Sequence, residues 1–149
     1  MQLAIRQAKI GQRNGDYAIG ALIIKGDKVI TAHNSRSKRD ESPIAHAEVL
    51  AILRASEILG KRHLANCVLY STHEPCPMYA SAAVFAKLKG IVYGARIEDM
   101  KRHREKNGNG NYLWRTIEIS CKEVIEKSTE NILLVKDFMR EECLKLFHA

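Results

Sequence analysis

Residues 73–83 read HEPCPMYASAA and mark a junction between a predicted strand and a predicted helix. The run before them, NCVLYST at 66–72, is apolar with β-branched and aromatic residues, which is typical of a buried strand. Residues 76–89 are rich in alanine and favour a helix, and GIVYGA at 90–95 predicts another buried strand. Strands separated by helices in this way are expected to be parallel, with right-handed crossovers.

The rest of the chain adds helices and a hairpin to this β–α unit. Apolar spacing and turn residues predict, in chain order, a helix at 3–13, a hairpin of AIGALIIK and KVITAH turning at Gly26-Asp27, a helix at 45–59 ending at Gly60, a loop or short helix at 97–110, a strand at 117–120 and a C-terminal helix at 131–147. This order predicts an α/β fold, with three α/β/α layers around one mixed sheet, in a single domain at 1–149.

Composition is that of an ordinary soluble globular domain. The chain has 149 residues, of which 46% are hydrophobic and 28% charged. No apolar run reaches the roughly 18 residues of a membrane span, and the amphipathic pattern begins at once after Met1 without a signal peptide. We therefore expect a cytoplasmic protein whose cysteines are reduced thiols or metal ligands: Cys67, Cys76, Cys121 and Cys143.

The net charge of +7 permits a nucleic-acid or phosphate partner without requiring one. Basic residues cluster in two places, at Arg36, Lys38 and Arg39 and at Lys101, Arg102, Arg104 and Lys106. Such clusters are more often solvated loops than RNA contacts, and no aromatic residues interleave with these as stacking platforms.

Two short motifs, HAE at 46–48 and PCPMY at 75–79, lie at the predicted starts of helices. Parallel β–α units place such helix starts along one edge of the sheet, so the two motifs can face each other and share one ion. The positive end of a helix lowers the pKa of a cysteine and favours the thiolate that binds zinc. Glu48 lies about 200° round the helix from His46, where it could reach a water on an open metal position.

His46-x-Glu48 followed by Pro75-Cys76-x-x-79 resembles the zinc deaminase signature H-x-E…P-C-x-x-C of the cytidine deaminase superfamily. The segment STHEPCPMYASAA is similar to the purine-base and nucleoside deaminase branch, which includes guanine deaminase-like proteins. IGALIIK and HAEVLAI fit the same family, so the resemblance covers most of the chain. It implies a deaminase-like fold, a Zn²⁺ cofactor and a homodimer.

The resemblance also implies a role for individual residues. His46 and Cys76 would be zinc ligands, and Glu48 would take a proton from zinc-bound water and deliver it to the ring nitrogen and the leaving amine. Asn34 matches the position where the family holds the base or sugar. Taken singly, each has a simpler interpretation: a capping histidine, a first-turn helix charge and a turn residue.

Tyr79 departs from the signature, because the family has a cysteine at this position. A phenol has a pKa near 10, is a poorer zinc ligand than a thiolate and is much bulkier. Three outcomes are open: zinc held weakly by His46, Cys76 and water; a shell completed by Tyr79 or His73; or an empty site and an inactive enzyme. We favour a damaged site over new chemistry, because zinc sites with three protein ligands are the catalytic norm. None of the other cysteines has suitable spacing to replace the lost thiol.

The leading hypothesis is therefore a hydrolytic deaminase of a nucleobase or nucleoside, with guanine or a related purine as substrate and with Tyr79 weakening or abolishing activity. The alternatives are a tRNA adenosine deaminase and a non-catalytic module that binds a base in a deaminase fold. We expect residues 97–115 to shape the pocket, with Trp114 in the core, in the pocket wall or at a subunit interface.

Overall fold

The computed structural model describes residues 1–107 and 117–148, and its centre is one five-stranded mixed sheet. The strands are β1 (Gly20–Lys25), β2 (Lys28–Asn34), β3 (Cys67–His73), β4 (Gly90–Ala95) and β5 (Leu133–Val135), in the spatial order β2-β1-β3-β4-β5. β1 is antiparallel to both β2 and β3, whereas β3, β4 and β5 are parallel to one another. The predicted hairpin and the predicted parallel strands are both present.

Helices cover both faces of this sheet, which confirms the predicted three-layer fold. They are α1 (Gln2–Arg13), α2 (Ala47–Leu59), α3 (Pro77–Phe85), α4 (Ile97–Asn107), α5 (Cys121–Glu126) and α6 (Arg140–Leu144), followed by a 3-10 turn at Lys145–His148. One apolar cluster joins the sheet to α2, α3 and α5, and a second joins it to α1, α4 and α6. Within the described part of the chain, no helix has the length and apolar character needed to cross a bilayer.

Two predicted elements are wrong. Residues 117–120 form no strand; instead Ser120 caps α5, its hydroxyl accepting from the backbone N–H of Glu123 while the Glu123 carboxylate accepts from the N–H of Ser120. The sequence signal for this capping box, serine followed three residues later by glutamate, is present and outweighs the short alternation of apolar residues. The segment at 97–110, predicted as a loop or short helix, is helical from Ile97 to Asn107. Tyr112, Leu113 and Trp114 lie outside the described residues.

The predicted C-terminal helix at 131–147 is the second correction. Its first part is β5, which pairs with β4 from Gly90↔Leu133 to Val92↔Val135, and only Arg140–Leu144 is α-helical. The apolar run of residues 132–135 suits either a helix or a strand. Pairing with β4 decides for the strand, because it satisfies backbone groups along an otherwise open sheet edge.

Gly20 allows α1 to lie directly on β1. A Cβ atom at Gly20 would stand 1.9 Å from the carbonyl oxygen of Ala4 and 2.7 Å from the amide nitrogen of Ala8. We expect Gly20→Ala to lower the free energy of unfolding by about 3 kcal/mol, because backbone atoms of α1 must move away. Urea denaturation measures this loss.

Gly26→Ala is the matched control for this substitution. Gly26 has φ +61° in the β1–β2 turn, and a Cβ there would have no atom within 4 Å. The control should cost only about 1 kcal/mol, from backbone strain alone. Equal losses in the two variants would contradict the close packing of α1 on β1.

Candidate functional site

One edge of the sheet collects the residues of both sequence motifs. β2 ends there at Asn34, β3 at His73 and β4 at Ala95, and the register pairs Gly20 with Asn34 and His73 with Ala95. Beyond this edge α2 and α3 begin, with the extended residues His46 and Cys76 as their N-caps. The expected meeting of two helix starts at one sheet edge therefore occurs in the structure.

Tyr79 joins the two motifs. Its hydroxyl oxygen lies 2.6 Å from Nδ1 of His46, and the two rings are tilted by 58° with their centroids 5.1 Å apart. The same phenol side chain hydrogen-bonds the thiol of Cys76, one helical turn earlier. Tyr79 itself is only 4% exposed. His46, Cys76 and Tyr79 are thus brought together around a single phenol oxygen.

Burial dominates the electrostatics of the two N-cap side chains. Burial lowers the pKa of His46, while the charge of Asp16 and a hydrogen bond to the Pro43 carbonyl act in the opposite direction. Burial also raises the pKa of Cys76, more than the hydrogen bonds from Tyr79 and Met78 lower it. The expectation that the helix N-terminus favours a thiolate at Cys76 is therefore wrong for this site as it stands, because desolvation penalises the charged form.

Glu48 lies in the first turn of α2 and is only 1% exposed. Its Oε1 accepts a hydrogen bond of 2.6 Å from the hydroxyl of Ser71, which lies in β3 and is fully buried. The negative charge of Glu48 contributes to the raised pKa of the Cys76 thiol, so the carboxylate lies near the same site. Sequence analysis missed Ser71. The alternation of Cys67, Leu69 and Ser71 along β3 is the signal that places its hydroxyl on the face toward α2.

Asn34 and His73 are held by the protein itself. The Asn34 amide donates to Oε1 of Gln7 at 3.0 Å, and its oxygen accepts from Arg39 at 2.6 Å. His73 is buried, its Nδ1 lies 2.8 Å from the Thr72 hydroxyl, and its ring packs against Phe147 at a centroid distance of 4.9 Å. Burial lowers the pKa of His73 to about 3, so this side chain is a neutral core histidine.

A profile of the MafB19-like deaminases matches residues 1–140. The chain belongs to this deaminase family. The chain is 44% identical over 96 residues to a tRNA-specific adenosine deaminase of Bacillus subtilis, covering 64% of this chain and 59% of that protein. It is 31% identical over 147 residues to the tRNA-specific adenosine deaminase of Buchnera aphidicola from Schizaphis graminum, covering 98% of this chain and 87% of that protein. It is 33% identical over 104 residues to the guanine deaminase of Bacillus subtilis, covering 70% of this chain and 65% of that protein.

Solved structures show the same fold. A tRNA:A34 deaminase structure matches 98% of this chain with a TM-score of 0.80 at 24% identity, and 96% of that chain is covered. The Bacillus subtilis guanine deaminase structure has a TM-score of 0.66 at 30% identity and covers 84% of this chain and 86% of its own. The relatives are deaminases, hydrolases that act on cyclic amidines, which confirms the predicted enzyme class. Relatives of both substrate types occur, so these likenesses do not separate the guanine branch from the tRNA branch.

Deaminases of this family generally depend on zinc. Among residues 1–107 and 117–148, no cluster of three or more histidine, cysteine or acidic side chains could hold a metal. Two ligand atoms on one tetrahedral zinc, each about 2.1 Å from it, stand about 3.4 Å apart. The 2.6 Å between Tyr79 and His46 is too short for joint ligation and is the length of a hydrogen bond. His46, Cys76 and Tyr79 therefore do not fit zinc in this arrangement.

Glu74, within the HEPCP segment, connects the site to two later helices. Its carboxylate accepts from the backbone N–H of Ile97 at 3.2 Å and from that of Cys121 at 3.1 Å. These N–H groups belong to the first residues of α4 and α5, where amides have no partner within the helix. Glu74 thus fixes the segments on either side of residues 108–116, and sequence analysis did not identify this role.

Asp16 organises the basic loop that leads to His46. Its carboxylate accepts from the Ser35 hydroxyl at 2.7 Å and from the backbone N–H groups of Lys38 and Arg39 at 3.1 and 3.2 Å. The loop cations are occupied within the chain as well, since Arg36 pairs with Asp40 and the Lys38 ammonium lies 4.3 Å from the ring centroid of Tyr17. The first basic cluster therefore lies in a loop, as predicted, and its side chains are engaged within the chain.

Asp16→Asn should lower the free energy of unfolding at pH 7 by about 2 kcal/mol, because an amide NH₂ would face several N–H donors. Burial alone would raise the pKa of Asp16, but the hydrogen bonds from Ser35 and from the Tyr17, Arg39 and Lys38 amides lower it below 3.8. The carboxylate therefore stabilises the fold above pH 3.8, and this contribution is lost as the pH falls through the folded-state pKa.

The measurement is urea denaturation of the Asp16→Asn variant and the unchanged chain between pH 7 and pH 3. The difference between the two proteins should narrow as acid protonates Asp16. Asp40→Asn, on the exposed side of the same loop, is the control and should change stability by less than about 0.5 kcal/mol. A difference that stays constant with pH would refute the role of the Asp16 charge.

Proposed function

We propose that this chain binds a purine nucleobase or nucleoside at the site between α2 and α3, in a scaffold for hydrolytic deamination that Tyr79 impairs. The observation that carries the proposal is the convergence of His46, Cys76 and the buried carboxylate of Glu48 at one sheet edge. The membership of the chain in a deaminase family supports it.

In this proposal Glu48 is the residue that moves protons. Its carboxylate is buried and is held by the Ser71 hydroxyl at 2.6 Å. A carboxylate in such a buried position suits general acid–base work on a ring nitrogen and a leaving amine. His46 and Cys76 are proposed as two of the metal ligands that the family would use. Because the third donor is a phenol, we derive no catalytic step through a metal.

Guanine or a related purine is the proposed substrate, because the segment around Cys76 resembles the purine-base branch and a guanine deaminase is among the relatives. Asn34 is the proposed contact to the base or sugar. To serve in this way, its amide would exchange the hydrogen bonds to Gln7 or Arg39 for bonds to the ligand.

Deamination of an adenosine in tRNA is the second candidate. A relative named for this activity matches 98% of the chain. A surface groove of about 860 Å³ between α1 and α6 is also lined by four exposed cationic residues: Arg6, Lys9, Arg13 and Lys145. Glu142 is an acidic residue of the same groove. None of these four forms a salt bridge within the described ranges, and such a groove suits a phosphate backbone.

A homodimer is part of the proposal. Large apolar side chains are exposed on α2, with Leu53 at 57% and Ile58 at 53%, and at the end of α3, with Phe85 at 79%. A second copy of the chain would cover them, as the resemblance to the cytidine deaminase superfamily suggests. Sedimentation equilibrium tests the assembly.

A panel of ligands tests the function: guanine, guanosine, adenosine, cytidine and a tRNA anticodon stem-loop. Calorimetry measures binding to the chain as it exists, and ammonia release measures turnover by Tyr79→Cys. Turnover of a free purine supports the leading proposal, and turnover of the stem-loop alone supports the tRNA candidate. Binding of a base without turnover by either protein would instead indicate a non-catalytic module, and no binding at all would reject every form of the proposal.

A further inference from the structure

We infer that the Tyr79 phenol takes the place of the metal ion in this chain, so that the resting protein is metal-free and its site is closed by hydrogen bonds. The inference concerns the site of the proposed function and rests on that assignment. It goes beyond impaired catalysis, because it states what occupies the site and which group excludes zinc.

The first step is the hydrogen-bond network. Nδ1 of His46 lies 2.6 Å from the Tyr79 hydroxyl oxygen, which is a hydrogen-bond distance, so the phenol occupies this nitrogen. The Tyr79 side chain is also hydrogen-bonded to the Cys76 thiol, so one phenol group links His46 and Cys76. A hydrogen-bonded network of this kind suits a buried site, because a buried polar group without a partner costs free energy.

The second step is the position of the phenol. Tyr79 lies in the first turn of α3 and is 4% exposed, so its ring is held within the protein. A zinc ion bound to Nδ1 of His46 would lie about 2.1 Å from that nitrogen, which already has the phenol oxygen at 2.6 Å. The metal and the phenol therefore compete for one lone pair, and the ring must move before zinc can bind.

The third step is the chemistry of that competition. A phenol oxygen is a poorer zinc donor than the thiolate of a cysteine, so Tyr79 does not replace the missing ligand. Zinc would also have to displace the thiol proton of Cys76, and it would gain only two good protein donors. Catalytic zinc sites use three.

Metal content tests the inference without any substrate. The unchanged chain, expressed with zinc in the medium and then dialysed, should contain less than about 0.1 zinc per chain by mass spectrometry, and Tyr79→Cys about one. A zinc-containing unchanged chain, with a thiolate-to-cobalt absorption band after cobalt substitution, would overturn the inference. Absence of metal from Tyr79→Cys would also overturn it, because Tyr79 would not be the group that excludes zinc.

Two phenylalanine variants test the hydrogen bond itself. Tyr79→Phe keeps the ring and removes the hydroxyl, so the nitrogen-15 resonance of His46 Nδ1 should shift while the chain stays metal-free. Tyr70→Phe, in β3 and packed against Phe138, is the matched control and should leave that resonance unchanged. An unshifted Nδ1 resonance in Tyr79→Phe would refute the Tyr79–His46 hydrogen bond.

Failure of the inference and failure of the proposed function can be told apart. Zinc in the unchanged chain removes the inference and leaves deamination possible. A metal-free unchanged chain, together with a zinc-loaded Tyr79→Cys variant that deaminates no ligand of the panel, supports the inference and rejects deamination.

Discussion

Tyr79→Cys is expected to raise kcat/KM for ammonia release from the preferred base by a factor on the order of 1000 or more, equivalent to about 4 kcal/mol of transition-state stabilisation. Residue 79 lies one helical turn after Cys76, so a cysteine there would direct a second thiol to the same point. The substitution also removes the ring whose hydroxyl occupies Nδ1 of His46. His46 and two thiolates make the three-ligand set of a catalytic zinc site.

The measurement is steady-state ammonia release with the ligand panel, with zinc content determined on the same samples. Tyr79→Ser is the matched control, since serine vacates the same volume and offers no thiolate. We expect no gain from the serine variant. An equal gain in both variants would show that space alone limits the unchanged chain, and no gain with a zinc-loaded cysteine variant would reject the deaminase proposal.

Glu48→Gln, made in the Tyr79→Cys background, is expected to lower kcat by 10²–10⁴-fold, the usual contribution of a positioned proton-transfer group. Glutamine has nearly the same size, and its amide oxygen can still accept the hydrogen bond from Ser71 that is 2.6 Å long in the unchanged chain. It cannot take up or release a proton at neutral pH. Zinc content and base affinity should therefore be nearly unchanged.

Ser71→Ala in the same background separates proton transfer from positioning. It keeps the Glu48 carboxylate and removes the donor that orients it, so we expect a loss of about tenfold in kcat. A Glu48→Gln variant that retains more than a tenth of the activity would contradict the assignment of Glu48 as the proton-transfer residue. Circular dichroism of each variant checks that the fold is intact, because both side chains are buried.

Most of the fold could be predicted because its signals are local. The hairpin turn at Gly26-Asp27 is present, and α2 ends at Gly60 with φ +60°, as the sequence predicts. Apolar runs and turn residues act over a few positions, so they determine elements before any tertiary contact forms. The run at 132–135 is the counterexample, because its strand conformation depends on an edge of β4 that is distant in sequence.

The candidate site was predictable to the same extent. The order of His46, Glu48 and Cys76 along the chain, together with β–α alternation, is sufficient to predict that they meet at one sheet edge. The contacts that decide their chemistry were not predictable. Ser71 reaches Glu48 across 23 positions, and the Tyr79 hydroxyl reaches His46 across 33.

By itself, the sequence determined the strands and helices around the two motifs, the deaminase-like resemblance and the substitution of tyrosine at position 79. Only the tertiary structure decided that Tyr79 turns inward to bond His46, that burial raises the pKa of Cys76, and that Asn34 is already engaged by Gln7 and Arg39. The physical reason is the distance along the chain over which each kind of interaction acts. Propensity and periodicity act between neighbours in the chain, whereas desolvation and side-chain hydrogen bonds depend on which distant residues share a volume from which water is excluded.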